Sequence, residues 1–514
     1  MSVLSAPCTG EGSPTFGLRR VVAHVRTLAP VEWVLGGAGL VVLLGQVVVM
    51  AAHWNDRFQI NFVSGVCITL AQRLNDGVFY PELYDGAHYA GTRYMPLSFV
   101  AHAGMARLTG EYLVSGKLLA YGLVLILFAE LFVLLRGLGC GRGTALALIS
   151  LVPLTPAGFL ACTTIRGDLL AVVLQLGALL IIRKSAGTNA AVLAGSVCAL
   201  AMLCKVTAVW AGLAIACSFL PVSRRRRGIV FALSWASSFV LAVWACNTLS
   251  GGRMAENFAV FALPGADNHR LFQAPFFFLA KVANGGVALG LLVPAALIGS
   301  TLAFRQRRVT LFHWSLFFCV PSLVAMCADP GIDYNHLLDL VVFCVLVAGH
   351  LWTALPAEEN QFAGPRACLA VAVAWVLLAG TFSSLEPRLR EVGYRPSADA
   401  TRYPALPLAK QIAADDKILT EHPWIEVSRG LTPVVLDPYS VARMARSKPE
   451  LTAPLEKQIR EGYFDKIVLL NRLDDDSDSH WRELNFGPKL VRAMETHYQL
   501  AGKFEEFYVY VPKP

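Results

Sequence analysis

From Val31 to about Phe382, long apolar runs alternate with short polar connectors, and after Ser383 the chain becomes charged, mixed and dotted with proline. A bilayer-crossing helix needs about 20 mostly apolar residues. The runs predict spans near 31–52, 113–135, 143–161, 167–183, 188–204, 206–222, 228–249, 282–304, 309–327, 335–354 and 366–383, about eleven in all. The run 95–108 is too short for a straightforward span and carries His102 and Arg107, which leaves re-entrant, interfacial and twelfth-span readings open. The pattern divides the chain into an N-terminal segment 1–30, a membrane region 31–383 with a long connector 53–112, and a water-soluble C-terminal unit 384–514.

Alternate connectors are basic: Arg19/Arg20/Arg26, Arg136/Arg142, Arg183/Lys184, Arg224 to Arg227, Arg305/Arg307/Arg308 and Arg366. With eleven spans they all fall on one side, which the positive-inside rule assigns to the cytoplasm. The N-terminus is then cytoplasmic and the C-terminal unit extracytoplasmic. The first apolar run is longer than a signal-peptide core and reads as a retained span.

The opposite connectors carry the chemistry. The first opens with His53, Trp54, Asn55, Asp56 and Arg57, and continues with Phe58, Phe62, Val66, Leu70 and Leu74 at every fourth position. That spacing predicts an amphipathic helix lying in the membrane interface. Further on come Thr163 to Asp168, a stretch around 250–281, and Asp329-Pro330-Gly331-Ile332-Asp333-Tyr334-Asn335-His336 with Asp339 one turn later. In the C-terminal unit, β-like runs at 417–420, 433–437, 466–470 and 507–511 alternate with helical patterns at 440–446 and 452–461, an α/β pattern.

Composition agrees with a membrane protein: 55% of the 514 residues are hydrophobic and 16% charged, against about 25% charged in soluble chains. The net charge of +8 is explained by the basic connectors, so no nucleic-acid partner is expected. Most of the 12 cysteines lie inside apolar runs, none falls in the C-terminal unit, and no CxxC pair occurs. This indicates neither a disulfide framework nor a zinc site.

Two carboxylates sit at predicted membrane boundaries, Asp56 just after the first span and Asp168 at the start of a later one. They are candidates for a general base or for binding a divalent cation such as Mg or Mn. The bland alternatives are a solvated loop carboxylate for Asp56 and a helix-cap residue for Asp168. Arg93, Arg166 and Lys205 are candidate phosphate ligands. Lys205 is the most telling, because a lysine between two apolar runs must be paired, face a wet cavity or snorkel. Asn335 and His336 are candidates for a polar ligand, or caps of the following helix.

In this order and on this side, the motifs resemble those of the GT-C superfamily of membrane glycosyltransferases. An acidic residue follows the first span (Asp56), and a Gly-x-x-Tyr motif ends the interfacial helix (Gly77 to Tyr80). An Arg-Tyr-Pro-Pro-Leu type motif reads Arg93-Tyr94-Met95-Pro96-Leu97, and an Arg-Pro-Asp type motif reads Arg166-Gly167-Asp168. A small-residue helix ends in Lys205, and an Asn-aromatic-Leu-Leu-Glu type motif reads Asn335 to Asp339. The resemblance implies a GT-C-like bundle of about eleven transmembrane helices with a C-terminal soluble α/β domain, multi-pass in the plasma (inner) membrane. It also implies transfer of a sugar, with inversion, from a polyprenyl-phosphate donor to a lipid, glycan or protein acceptor on the outer face. In that reading Asp56 is the general base, and Arg166, Lys205, Arg93 and Tyr94 bind the donor. Asp168 orients the acceptor or holds a cation, with Asn335 and His336 nearby.

Two other functions fit a polytopic chain. A transporter or flippase of lipid-linked substrates would carry charges in mid-span or two repeated halves, and no repeat is visible here. A non-catalytic membrane scaffold would use the C-terminal unit to bind a partner.

Overall fold

The computed structural model describes residues 14–56, 59–185, 187–261, 268–329, 331–356, 364–393, 408, 412–413, 415–474, 479–504 and 506–514. Arg57, Phe58, Pro330 and the chain before Pro14 lie outside the described residues, as do the side chains of Arg19, Arg20 and Arg26. Helices α1 (Pro14–Ala52), α2 (Phe62–Asn75), α3 (Pro96–Thr109), α4 (Tyr112–Gly137), α5 (Arg142–Ser150) and α6 (Pro156–Thr163) come first. Then follow α7 (Asp168–Lys184), α8 (Thr188–Met202), α9 (Trp210–Ser218), α10 (Arg225–Leu249), α11 (Arg253–Phe261) and α12 (Asn268–Ala283). The helical part closes with α13 (Gly286–Arg305), α14 (Leu311–Met326), α15 (Leu338–Ala354), α16 (Pro365–Gly380) and α17 (Glu386–Gly393).

Among the described residues, six helical stretches are long and apolar enough to cross a membrane: Pro30–Ala52, Tyr112–Gly137, Val222–Leu249, Gly286–Arg305, Tyr334–Ala354 and Pro365–Arg390. A seventh candidate is the pair α6 and α7, bent by 102° at the break between them. The other expected spans are shorter than the apolar runs that suggested them. The run 143–161 is split by Pro153 and by Thr155-Pro156, where the Thr155 hydroxyl accepts from the Gly158 N–H at 3.0 Å and starts α6. The run 206–222 forms only the nine residues of α9, about 14 Å of helix. Conversely, the last helix runs past Phe382 through a π turn to Gly393.

Burial ranks the long helices. Of the most apolar window in Tyr334–Ala354, 83% is buried, against 6% for Val222–Leu249, so α15 is the central helix and α10 is peripheral. An apolar surface all round suits the centre of a bundle. Small residues bring α1 and α5 into backbone contact. A Cβ on Gly36 would lie 2.8 Å from the Gly143 Cα, and one on Gly143 would lie 1.8 Å from the Glu32 carbonyl oxygen. The Glu32 carboxylate then caps α5, accepting from the Thr144 N–H at 3.0 Å and the Thr144 hydroxyl at 2.6 Å.

The expected interfacial helix is α2, but it is more enclosed than an amphipathic surface helix: Ser64 to Ala71 are all buried. The C-terminal unit covers its outward side, and a Cβ on Gly65 would meet the Trp424 backbone nitrogen at 3.0 Å. That unit holds a four-stranded sheet in the order β1 (Ile418–Thr420), β2 (Lys466–Leu469), β4 (Phe507–Pro512), β3 (Tyr498–Phe504). The β1–β2 pair is parallel and the other two are antiparallel. The β-like run 433–437 does not enter this sheet. It pairs with the first connector instead: the Tyr89 N–H donates to the Val434 carbonyl (2.7 Å), and the Leu436 N–H to the Tyr89 carbonyl (2.9 Å). The His422 ring meets the Ile60 carbonyl at 3.1 Å.

Gly143→Ala is expected to lower the melting temperature in detergent, because the neighbouring backbone has to shift at a cost of about 1–3 kcal/mol or more. Gly37→Ala, on the same helix pair but with nothing within 4 Å of its Cβ, is expected to melt with the wild type. Equal melting of the two variants would contradict the α1–α5 packing.

Candidate active site

The corner between α6 and α7 sets the site. Thr164 leaves the helix in an extended conformation, and Arg166 and Gly167 turn the chain into α7. Gly167 has no room for a side chain: a Cβ there would sit 3.0 Å from the Ser98 side chain and 3.2 Å from the Cys204 carbonyl oxygen. The turn is thereby pressed between α3 and the loop joining α8 to α9, which are also tied by the Leu97 N–H to the Leu203 carbonyl at 2.9 Å. Asp168 falls on the first residue of α7, where the helix dipole favours a negative charge.

Lys205, in the α8–α9 loop, reaches this carboxylate. Its Nζ lies 2.8 Å from Asp168 Oδ1 and 3.7 Å from Asp339 Oδ2, with all three side chains largely buried. Burial opposes the ammonium charge, and the two carboxylates offset that cost. Asp339 is completed by the Trp210 indole N–H (2.8 Å) and the Gln175 amide (3.1 Å), both donating to Oδ1. Gln175 in turn accepts from the Ala211 N–H at the start of α9, at 3.3 Å. Asp168 Oδ2 accepts from the Asn335 amide at 2.9 Å. One buried polar network thus joins α7, the α8–α9 loop and the turn leading into α15.

Around it lie groups that are not fully used. The Arg166 guanidinium is buried and its nearest carboxylate is the half-exposed Asp333, at 4.0 Å. Arg166 Nε, Asn335 Oδ1 and His336 Nδ1 are buried without a hydrogen-bond partner among the described residues. The His336 ring lies in the combined field of Lys205, Asp168, Arg166 and Arg93. Arg93 makes no hydrogen bond or ion pair among the described residues; its guanidinium stacks 3.8 Å from the centroid of the Tyr439 ring and 6.0 Å from that of Tyr94. Tyr94 faces both arginines electrostatically, and its carbonyl accepts the Tyr80 hydroxyl at 2.8 Å. Seven of the eight expected site residues, Arg93, Tyr94, Arg166, Asp168, Lys205, Asn335 and His336, are thus linked by hydrogen bonds, an ion pair, stacking or electrostatic contact. Cys67 lines a small cavity beside Arg166, but burial pushes its thiol up to about 12, which leaves it inert as a nucleophile.

Asp56 is held separately. Its Oδ2 pairs with His53 Nδ1 at 2.5 Å, while the His53 carbonyl accepts from the Tyr121 hydroxyl at 3.3 Å. Asp56 also acts electrostatically on Lys117, a fully buried lysine of α4 that donates to the Thr163 carbonyl at 3.2 Å. Thr163 stands just before the α6–α7 corner, so the two regions adjoin through Lys117 although Asp56 and Asp168 contact different partners. Among the described residues no group of three or more His, Cys, Asp or Glu side chains is arranged to hold a metal ion. The Lys205 ammonium already stands between Asp168 and Asp339, at 2.8 and 3.7 Å.

No protein-family profile and no curated protein sequence matches the chain. Solved structures do match. ArnT from Cupriavidus metallidurans bound to undecaprenyl phosphate superposes with a TM-score of 0.59 at 13% identity, over 92% of this chain and 97% of that one. The apo crystal structure of the same protein gives 0.55 at 12% identity, over 97% and 98%. At these identities the likeness is one of fold, and the chain has a GT-C-like fold.

Sequence reasoning singled out Lys205 because it needed a partner, but it did not assign Asp339, Gln175 or Trp210 to it. The cue was present for Asp339, a carboxylate one turn into an apolar helix. His53 was legible as the residue three before Asp56, whereas Lys117 at the start of a long span carried no distinguishing signal.

Lys205→Met is expected to leave two buried carboxylates without a cation and to destabilise the protein by about 3–5 kcal/mol. Asp339→Asn keeps an oxygen for Trp210 and Gln175 and is expected to cost much less. Thermal melting of both variants in one detergent checks the order, and a Lys205→Met protein as stable as wild type would remove the ammonium from its bridging role.

Proposed function

We propose that the chain is a membrane glycosyltransferase of the GT-C type that takes its sugar from a polyprenyl-phosphate carrier. The observation that carries this reading is the pair of under-used arginines, Arg93 and Arg166, beside unpaired polar atoms of Asn335 and His336 in a GT-C-like fold. Buried donors without partners call for a ligand or solvent. An arginine fork matches phosphate oxygens in shape and charge. The similar ArnT structure was solved with undecaprenyl phosphate bound. Lys205, the third cation, is committed to Asp168 and Asp339, so the carrier phosphate falls to the arginines while the Lys205 network fixes the walls around it.

The chemistry needs a base and a stabilised leaving group. Asp56, oriented by His53, takes the proton of an acceptor hydroxyl as that oxygen attacks the anomeric carbon. The bond from that carbon to the phosphate oxygen breaks on the opposite face, and its electron pair leaves with the polyprenyl phosphate, which Arg166 and Arg93 stabilise. The configuration inverts. Asp168 orients Lys205 and Asn335 at the pocket and takes no proton.

In the membrane, segment 1–30 lies in the cytoplasm, residues 31–383 form the embedded part, and residues 384–514 lie on the outer face of the inner membrane, where the acceptor is a lipid, a glycan or a protein. The basic connectors support that orientation. About eleven crossings follow if α5 with α6, then α7, α8, α9 and α14, each span together with their connecting turns, beside the six long helices.

The test is release of undecaprenyl phosphate from a panel of undecaprenyl-phosphate sugars by purified protein, with a membrane extract as acceptor source. Wild type is expected to consume one donor. Asp56→Asn is expected to slow release by about 10²-fold or more while folding normally. Arg166→Ala is expected to weaken undecaprenyl phosphate binding about ten- to hundredfold. Full activity in folded Asp56→Asn would remove it as the base, and a wild type that neither binds the lipid phosphate nor consumes any donor would refute the function.

A further inference from the structure

Tyr439 belongs to the C-terminal unit, in the first turn of the helix Pro438–Ser447, yet it lies among residues of the helical bundle. It is 4% exposed. Its hydroxyl donates to Asp329 Oδ1 at 2.7 Å and accepts from Arg443 Nε at 3.1 Å. Arg443 closes the ring by donating to Asp329 Oδ2 at 3.1 Å. Asp329 stands in the loop between α14 and α15, a few residues before Asn335, and also accepts from the Gly331 N–H at 2.9 Å. Gly331 is required by this arrangement: a Cβ there would meet the Tyr439 ring at 3.0 Å. The ring is thus fixed at its hydroxyl end and along one edge, and its face carries the Arg93 guanidinium 3.8 Å from the centroid.

Stacking leaves the in-plane N–H groups of an arginine available. Burial works against the Arg93 charge, while Tyr94, Asp437, Tyr439 and Asp329 favour it, and its pKa lies above the ordinary arginine value. None of these acids is within ion-pair distance of it among the described residues, and Asp437 is occupied by the Tyr439 N–H (3.1 Å) and the Ser440 hydroxyl (2.8 Å). An arginine held flat by an aromatic face, rather than by a carboxylate, keeps its hydrogen-bond donors for an anion.

We propose that Tyr439, tethered by Asp329 and Arg443, is a positioning residue that aims Arg93 at the phosphate of the lipid carrier and so makes the C-terminal unit a structural part of that binding site. This rests on the reading of the pocket as a lipid-phosphate site. Its physical content is a coupling: the aromatic face acts only through Arg93, so losing the face after losing Arg93 changes nothing further.

The test measures binding of undecaprenyl phosphate, and of undecaprenol as the phosphate-free control, to the full chain in detergent. Wild type is expected to prefer the phosphate. Tyr439→Leu is expected to weaken phosphate binding roughly five- to thirtyfold, with undecaprenol binding unchanged. Tyr439→Phe, which keeps the face and loses the tether, is expected to lose about two- to threefold. In an Arg93→Ala background, Tyr439→Leu is expected to have no effect. If Tyr439→Leu is not monodisperse, Asp329→Asn frees the ring without emptying its volume, and its loss is expected to resemble that of Tyr439→Phe. A wild type with no preference for the phosphate would overturn the reading of the pocket itself. A preserved wild-type preference with Tyr439→Leu unchanged would overturn the proposal alone. So would a loss shared by undecaprenol, or one that persists without Arg93, since either marks a purely structural residue.

Discussion

A buried ammonium between two carboxylates is the constraint on which the polar interior depends. Lys205 cannot lie among apolar helices without compensation, and neither can Asp168 or Asp339. The lysine is held by both carboxylates, at 2.8 and 3.7 Å, and each carboxylate has further donors in Trp210, Gln175 or Asn335. The lysine comes from a loop between two short helices, Asp168 from the first residue of α7, and Asp339 from the first turn of the central α15. The break between α6 and α7, the loop between α8 and α9 and the turn before α15 are where these three groups meet.

The same pairing divides labour among the cations. A lysine committed to two carboxylates organises its surroundings, whereas arginines held by aromatic rings or by one distant carboxylate have donors to give. The C-terminal unit packs against the first connector, which carries Arg93. It covers α2 near Gly65, pairs its 434–436 backbone with Tyr89, meets Ile60 through His422 and places Tyr439 beneath Arg93.

Much of this was legible in the sequence, for identifiable reasons. Apolar runs forecast the helical bundle because desolvation in a bilayer leaves few alternatives to helix. They overstated helix length at 143–161 and 206–222, because hydropathy is blind to where Pro153, Thr155-Pro156 or the Lys205 turn interrupts a run. The short strands β1, β2 and β4 showed as β-branched or aromatic runs, but β3 (Tyr498–Phe504) is largely exposed, holds no β-branched residue and gave no such signal. The run 433–437 looked like a sheet strand, and only tertiary structure reveals Tyr89 as its partner. Among site residues, the ones carrying an electrostatic cost in an apolar setting announced themselves, as Lys205 and Asp168 did. Those whose importance lies in whom they touch did not: Asp329 reads as a loop acid, and Tyr439 as an ordinary aromatic after Pro438.

The most direct measurement is an experimental structure of the full chain with undecaprenyl phosphate. The account predicts the phosphate within hydrogen-bonding distance of Arg93 and Arg166, beside Asn335 and His336, with Lys205 still between Asp168 and Asp339. A phosphate bound by Lys205 after it has left the two carboxylates, or lodged away from the arginine pair, would contradict it.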